Sequence, residues 1–129
     1  DNVMEQQYTD EFTISRKEWL RGGGGKASSL FRSDDKMKCC LGFYSLHAGI
    51  SEQKITDVSS PGILKKRGFF IPSSVAWLVD PPEEDRLGNS QVGNLLMMIN
   101  DSTTIGEAER EQQIAELFTE QGIRVNFVD

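Results

Sequence analysis

The C-terminal segment, residues 104–129, constrains the fold more than any other part of the chain. Thr104 and Glu107 have the Thr-x-x-Glu spacing of a capping box, and an apolar stripe with helical spacing follows them. Gly122 stands where a glycine commonly ends a helix. Ile123, Val125 and Phe127 then alternate with Arg124, Asn126 and Val128, which is the period of a β-strand. The segment therefore predicts a long helix followed directly by a strand.

Shorter patterns in the first half predict two strands, two helices and a further short helix or turn. Phe12-Thr13-Ile14 is β-prone, and Ser15 with Glu18 repeats the capping-box spacing before a short helix or turn. A second strand is expected over Ser28–Arg32. A further helix, ending at Gly49, is predicted by apolar and aromatic side chains that share one face: Cys40, Phe43, Tyr44 and His47. Ser51 is expected to cap another short helix that runs through Val58.

The second half predicts two loops and two helices before the C-terminal segment. Residues 59–74 contain Pro and Gly at several positions and predict an ordered loop, whose Phe69, Phe70 and Ile71 are expected to be buried. Residues 75–79 are expected to be helical, residues 81–88 to form an acidic loop, and residues 91–100 to form a helix. The side chains expected to face inward from that last helix are Leu95, Met98 and Ile99.

These elements predict a single α+β domain over residues 11–129, preceded by a flexible N-terminal arm of residues 1–10. About four or five short helices would cover a small sheet, which is expected to be antiparallel. A chain of 129 residues fits one domain. Its longest apolar runs are five residues, against about 20 for a bilayer span. We therefore expect a soluble protein, and the opening residues show no pattern of a secretory signal.

The charge balance argues against a protein that coats duplex DNA. The net charge is −6, and duplex binding depends on Lys and Arg neutralising phosphates. The charge is nevertheless uneven: residues 15–38 carry seven bases and three acids, whereas residues 65–129 carry six bases and eleven acids. Two sets of acidic residues could imitate nucleic-acid phosphates, with ordinary solvated surface as the alternative: Glu83, Glu84 and Asp85, and Glu109, Glu116 and Glu120.

The two cysteines, Cys39 and Cys40, are adjacent. A disulfide between neighbours closes almost no loop and is strained, so reduced thiols in a cytoplasm are expected. Together with His47 they could form a cysteine nucleophile or a metal site. However, seven residues of helix separate Cys40 from His47 by about 10.5 Å, and no Cys-x-x-Cys spacing is present. The sequence therefore favours buried structural thiols.

The glycine run Gly22–Gly25 before Lys26 resembles a phosphate-binding loop only superficially. The nucleotide-binding motif requires a glycine six positions before the lysine and Ser or Thr directly after it, where this chain has Leu20 and Ala27. A flexible connector is the simpler interpretation.

Two clusters combine cations with aromatic side chains, which together can stack a base and pair with its phosphates. In the first, Trp19 could instead be a core anchor. In the second cluster, the cations of residues 65–67 precede Phe69 and Phe70. The alternative to a ligand-binding loop is a solvated loop whose aromatic side chains are buried. The candidate ligand-binding residues are Arg16, Lys17, Trp19, Arg21, Lys65, Lys66 and Arg67. The sequence assigns no catalytic residue, metal ligand or cofactor.

Several short motifs outside residues 50–90 resemble a family of small uncharacterised proteins encoded by tailed phages and prophages. The distinguishing motif is Cys39-Cys40-Leu41-Gly42-Phe43, and the chain ends in Gly122-Ile123 to Phe127-Val128-Asp129. The other shared segments are Phe12-Thr13-Ile14, Trp19, Arg21-Gly22, Lys36-Met37, Ile99-Asn100-Asp101, Glu109-Arg110-Glu111 and Leu117-Phe118. The resemblance implies a phage context and an intracellular host setting, and it implies no catalytic residue.

The leading hypothesis is a non-enzymatic phage accessory protein that binds and neutralises a host component, most plausibly one used in antiviral defence, in the cytoplasm of the infected bacterium. It would either sequester a small anionic nucleotide-like ligand or block a host protein. A cysteine-dependent small enzyme and a regulator that binds single-stranded nucleic acid are the alternatives. A homodimer fits this interpretation, because pairing would enlarge a small core.

Overall fold

A computed structural model describes residues 8–23, 29–79 and 89–129 of the chain. Two strands and six α-helices form within these ranges, which confirms the α+β class. The elements are β1 (Asp10–Ser15), α1 (Cys40–His47), α2 (Glu52–Ile55), α3 (Pro61–Lys66), α4 (Ala76–Val79), α5 (Asn89–Asp101), α6 (Glu107–Thr119) and β2 (Ile123–Val128). Short 3-10 helices span Arg16–Glu18 and Ser73–Val75. None of the helices in the described ranges has the length and apolar character needed to cross a bilayer.

The two strands pair in parallel, so the prediction of an antiparallel sheet was wrong. Asp10 lies opposite Ile123, and the register continues to Ser15 opposite Val128. Parallel neighbours need a crossover connection, and the helices between the two strands supply it. The inward side chains of β1, Phe12 and Ile14, are buried with Ile123 of β2.

The start of the described chain is tied to the end of α6. Thr9 donates its backbone N–H to the Gly122 carbonyl over 2.8 Å, and β1 begins at Asp10. Gly122 itself has a φ of +79°, the left-handed conformation predicted for a glycine that ends a helix. Residues 1–7 of the predicted N-terminal arm lie outside the described residues.

The predicted strand over Ser28–Arg32 does not form in its described part, residues 29–32. Leu30 donates its N–H to the Val58 carbonyl and Phe31 accepts from the Asp57 N–H, each over 2.7 Å. These bonds make one isolated bridge instead of a ladder, and Leu30 and Phe31 are buried beside it.

Helix α1 forms the centre of the core, as its apolar face predicts. Residues 40–45 are all buried, and the chain turns away at Gly49, where φ is +102°. The predicted helices after Ser51 and over residues 75–79 are also present, although α2 ends at Ile55.

The segment of residues 59–74 was predicted as a loop but contains α3. Pro61 occupies the first turn, where its missing N–H removes no helical hydrogen bond, and Leu64 is fully buried. The expected burial of the aromatic pair is wrong, because Phe69 is 36% exposed and Phe70 is 78% exposed. Ile71 is partly buried against the core.

Helices α5 and α6 form as predicted, with different contacts. Leu95 and Met98 of α5 are exposed, whereas Leu96 and Asn100 are fully buried, so the inward face is rotated relative to the prediction. Ile99 packs against the core as expected. At the start of α6 the N-cap residue is Gly106, and no capping box forms from Thr104. The predicted acidic loop of residues 81–88 lies outside the described residues.

Candidate functional site

The first predicted cluster does not offer an aromatic face to a ligand, because Trp19 is 1% exposed. Its indole N–H donates to Asn100 Oδ1 over 2.8 Å, and its ring lies 5.4 Å from that of Phe127. The Arg21 guanidinium covers the indole, 4.4 Å from the ring centroid. Burial therefore corrects the assignment of Trp19 as a ligand-stacking residue, and the core-anchor alternative holds.

The arginines of this cluster are engaged by carboxylates of the C-terminal elements. Arg16 makes two hydrogen bonds to Glu111, of 2.7 and 2.9 Å, and one to Asp129 of 3.0 Å. These bonds, the one to Glu111 foremost, raise the pKa of Arg16 above its ordinary value. Arg21 donates to Glu107 over 2.8 Å. Of the predicted cations here, Lys17 alone is exposed, whereas Arg16 and Arg21 are half-buried, so this cluster is a structural clamp and not an anion pocket.

Asn100 is the centre of a buried polar network that sequence reasoning missed. Its Oδ1 accepts from the Trp19 indole and from the Cys40 backbone N–H over 3.0 Å, and its Nδ2 donates to the Leu20 carbonyl over 2.9 Å. Arg110, 2% exposed, donates to the carbonyls of Ile99 and Asn100. A polar residue directly after the apolar run of α5 was the available signal. The network fixes the start of α1 against the end of α5.

Lys38 is a second buried charge that the sequence did not single out. It is 7% exposed, and its Nζ donates to Glu18 over 2.9 Å. The same ammonium lies 5.3 Å from the Phe31 ring centroid and 4.9 Å from that of Phe43. The pairing and the two rings compensate for its burial.

The thiols do not form a nucleophilic site. Cys39 and Cys40 are both buried, and burial raises the pKa of Cys40 well above the ordinary thiol value. His47 lies at the other end of α1, where its Nε2 is 2.9 Å from Asp10 Oδ1. Activation of a cysteine by histidine requires direct contact, which this arrangement does not provide. Across residues 8–23, 29–79 and 89–129, no three His, Cys, Asp or Glu side chains converge as metal ligands.

The second predicted cluster is on the surface and forms the candidate site. We call it the basic-aromatic surface and define it by the following residues: Lys54, Lys65, Lys66, Arg67, Phe69 and Phe70. All six are exposed, and Phe70 is the most exposed large apolar side chain in the described ranges, at 78%. Lys54 Nζ lies 5.6 Å from the centroid of the Phe69 ring. An open pocket of about 460 Å³ adjoins it, with walls from Ser60, Gly62, Ile63, Lys65 and Lys66.

The cations of the basic-aromatic surface are used differently from those of the first cluster. Neither Lys66 nor Arg67 forms an ion pair within the described ranges, whereas Arg16 and Arg21 both do. Within the described ranges, the charges of Lys66 and Arg67 are therefore not used in ion pairs that hold the fold together. These two cations are available for an anionic partner.

The outer face of α6 carries the opposite charge. Glu109, Glu116 and Glu120 are exposed, and within the described part of the chain none of them pairs with a cation. A shallow pocket of about 420 Å³ runs along this face, lined by Gln112, Ala115, Glu116, Thr119 and Glu120. We call this the α6 acidic groove. The other predicted acidic set, Glu83 to Asp85, lies outside the described residues.

No family model, curated protein or solved structure matches this chain.

Proposed function

We propose that this chain is a phage accessory protein that acts by binding, and that it neutralises a component of the bacterial host in the cytoplasm of the infected cell. The motif resemblance supports the phage setting. The burial of Cys40 supports binding over cysteine catalysis, because a thiol held protonated in the core is a poor nucleophile. Neutralisation of an antiviral defence component is the role that fits such a protein.

The exposure of Phe70 a few residues after Lys66 and Arg67, neither of which forms an ion pair in the described ranges, is the observation that carries this proposal. Burying a phenyl side chain is worth roughly 1.5–3 kcal/mol, so leaving one exposed forgoes that stabilisation in the isolated protein. Exposed aromatic residues and arginines contribute much of the energy at protein interfaces. Phe70 and Arg67 together have the character of a binding anchor.

A host protein is favoured over a nucleotide-like signal as the target. Sequestering a small ligand requires a pocket that encloses most of its surface. Trp19 is sealed in the core, and Arg16 and Arg21 are held by carboxylates, so the first cluster cannot close over a nucleotide together with Lys65 to Arg67. The remaining surface is open and suits a protein that carries carboxylates around an apolar pocket.

Single-strand nucleic-acid binding is the second candidate, because Phe70 with neighbouring cations could stack one base and contact its phosphates. The net charge of −6 opposes a polyanion, and Lys54 already lies over the ring of Phe69. These two observations favour protein binding over the binding of single-stranded nucleic acid.

The test compares tagged wild-type protein with Phe70→Ala and with Lys66→Glu/Arg67→Glu in bacteria challenged with a defence-sensitive phage. Met98→Ala is the matched control, since Met98 is also an exposed apolar side chain, at 67%, on α5. We expect wild type and Met98→Ala to raise plating efficiency and to cross-link to the same host protein. Both surface variants should bind that host protein at least about tenfold more weakly, which corresponds to about 1.4 kcal/mol of binding free energy.

Full protection and cross-linking by Phe70→Ala would overturn the proposal. Dialysis of the purified protein against cyclic and linear nucleotides tests the sequestration version, and a retained nucleotide would replace protein blocking by it. Binding of synthetic single strands that falls steeply with salt would instead favour the nucleic-acid candidate.

A further inference from the structure

The α6 acidic groove is opposite in charge to the basic-aromatic surface. Glu116 and Glu120 lie on the same helical face at a spacing of four residues, next to the short side chains of Ala115 and Thr119. Lys66 and Arg67 are exposed, and they precede the exposed Phe70 by only a few residues. One chain thus carries an exposed aromatic side chain next to positive charge and a shallow groove lined by negative charge.

Within one chain, the basic-aromatic surface and the α6 acidic groove do not pair with each other. Helix α3 packs against α2 and α4, whereas α6 packs against α5 and β2. Phe70 stays 78% exposed, and Glu116 and Glu120 are exposed without an ion pair in the described ranges. Each surface is therefore open to a second molecule.

We infer that a second copy of this chain docks here, with Phe70 of one copy seated in the α6 acidic groove of the other and Lys66 and Arg67 paired with Glu116 and Glu120. If each copy inserts its Phe70 into the groove of the other, the two copies form a closed two-fold dimer. If each pair of copies makes this contact only once, the chains associate head to tail. Both arrangements bury the same two surfaces. The attraction is local, since the whole chains repel each other at −6 each. Association should therefore weaken as salt screens the ion pairs.

This inference goes beyond the proposed function, because it concerns the protein without any host component. It also has a consequence for that function: self-association would cover Phe70, so a host target would have to displace the second copy. Self-association is measured on purified protein alone, whereas host binding is measured in bacteria. Failure of either can therefore be told from failure of the other.

The experiment measures molecular mass by sedimentation and light scattering over a concentration series up to about 1 mM, the weak end of measurable affinity. Two variants each remove one surface: Phe70→Asp, and the double change Glu116→Lys/Glu120→Lys. All three positions are exposed, so both variants should keep the wild-type circular dichroism spectrum. Met98→Asp, on the exposed side of α5, is the control.

We expect wild type and Met98→Asp to self-associate and each surface variant to be monomeric alone. Mixed together, the two surface variants should form a 1:1 complex, because the first retains the acidic groove and the second retains the basic-aromatic surface. A monomeric wild type over the whole series would overturn the inference. So would a mixture that stays monomeric, or loss of association in Met98→Asp with retention in Phe70→Asp.

Discussion

The backbone of Gly42 lies directly against the backbone of Leu30. A Cβ atom placed on Gly42 would stand 1.8 Å from the Leu30 carbonyl oxygen and 2.7 Å from its carbonyl carbon. No side chain can occupy that space, because the obstructing atoms are main chain. This contact explains the glycine in the Cys-Cys-Leu-Gly-Phe run: the motif is a packing device in which α1 approaches the preceding segment without a side chain between them.

Gly42→Ala should therefore destabilise the protein by at least about 3 kcal/mol, since overpacking against backbone forces a shift of the segment around Leu30. The free energy of unfolding in urea measures the effect. Gly62→Ala is the matched control, because the nearest atom to its new Cβ would be Ser60 Oγ at 3.9 Å. The control should stay within about 1 kcal/mol of wild type. Equal stability of the two variants would refute the close-contact explanation.

Asn100→Ala should cost about 2–4 kcal/mol, because it leaves the Trp19 indole N–H and the Cys40 backbone N–H buried without their shared acceptor. Asn126→Ala in β2 serves as the control, since that side chain is half-buried. Urea unfolding followed by tryptophan fluorescence measures the stability, with Trp19 and Trp77 both contributing to the signal. An Asn100→Ala variant as stable as Asn126→Ala would contradict the network.

Local sequence patterns predicted the elements whose signals are complete within a few residues. The apolar face ending at Gly49 predicted α1, and the stripe ending at Gly122 predicted both α6 and the strand after it. The segment around α3 was assigned as a loop because Pro61 and Gly62 are also turn residues. In sequence, a proline in the first turn of a helix looks the same as a proline in a turn.

Long-range relationships could not be predicted in this way. Register and direction of the sheet depend on Asp10 meeting Ile123, and no local pattern contains that pairing. The basic clusters posed the same difficulty: their composition is alike, but Arg16 finds Glu111 across the fold, whereas Lys66 finds no ion pair in the described ranges. The sequence identified the basic residues of both clusters without showing which of them the fold would engage in ion pairs.

The thiol of Cys40 should be unreactive in the folded protein. Burial raises its pKa well above the ordinary value, so the reactive thiolate is suppressed. At pH 8, iodoacetamide should modify Cys40 only after unfolding, as peptide mass spectrometry can determine. This pKa shift also makes stability depend on pH, because the Cys40 thiol ionises at lower pH in the unfolded chain than in the folded protein. Stability is therefore complete below the ordinary thiol pKa and declines as pH rises through it. Rapid modification of the native protein would contradict this burial.

Glu107 should give the opposite pH dependence. Burial raises the pKa of its carboxyl, but hydrogen bonds from Arg21 and Arg110 outweigh this and lower the pKa overall. The carboxylate therefore stabilises the fold above its ordinary pKa, and that contribution is lost as pH falls through the lowered value. Glu107→Gln should destabilise the protein by about 1 kcal/mol at pH 7, a modest figure because the Glu107 side chain is 55% exposed and solvent screens the pair.

The difference between wild type and Glu107→Gln should close as pH falls from the ordinary glutamate pKa through the lowered pKa of Glu107, where the wild-type carboxyl becomes neutral. Glu109→Gln isolates the specific contacts, because Glu109 also lies in the first turn of α6 but accepts only from Gln113. Its effect should be smaller at every pH. A difference for Glu107→Gln that persists unchanged into acid would show that the carboxylate does not hold Arg21. Among the described residues, the clamp between residues 16–23 and α6 would then rest on Arg16 and Glu111.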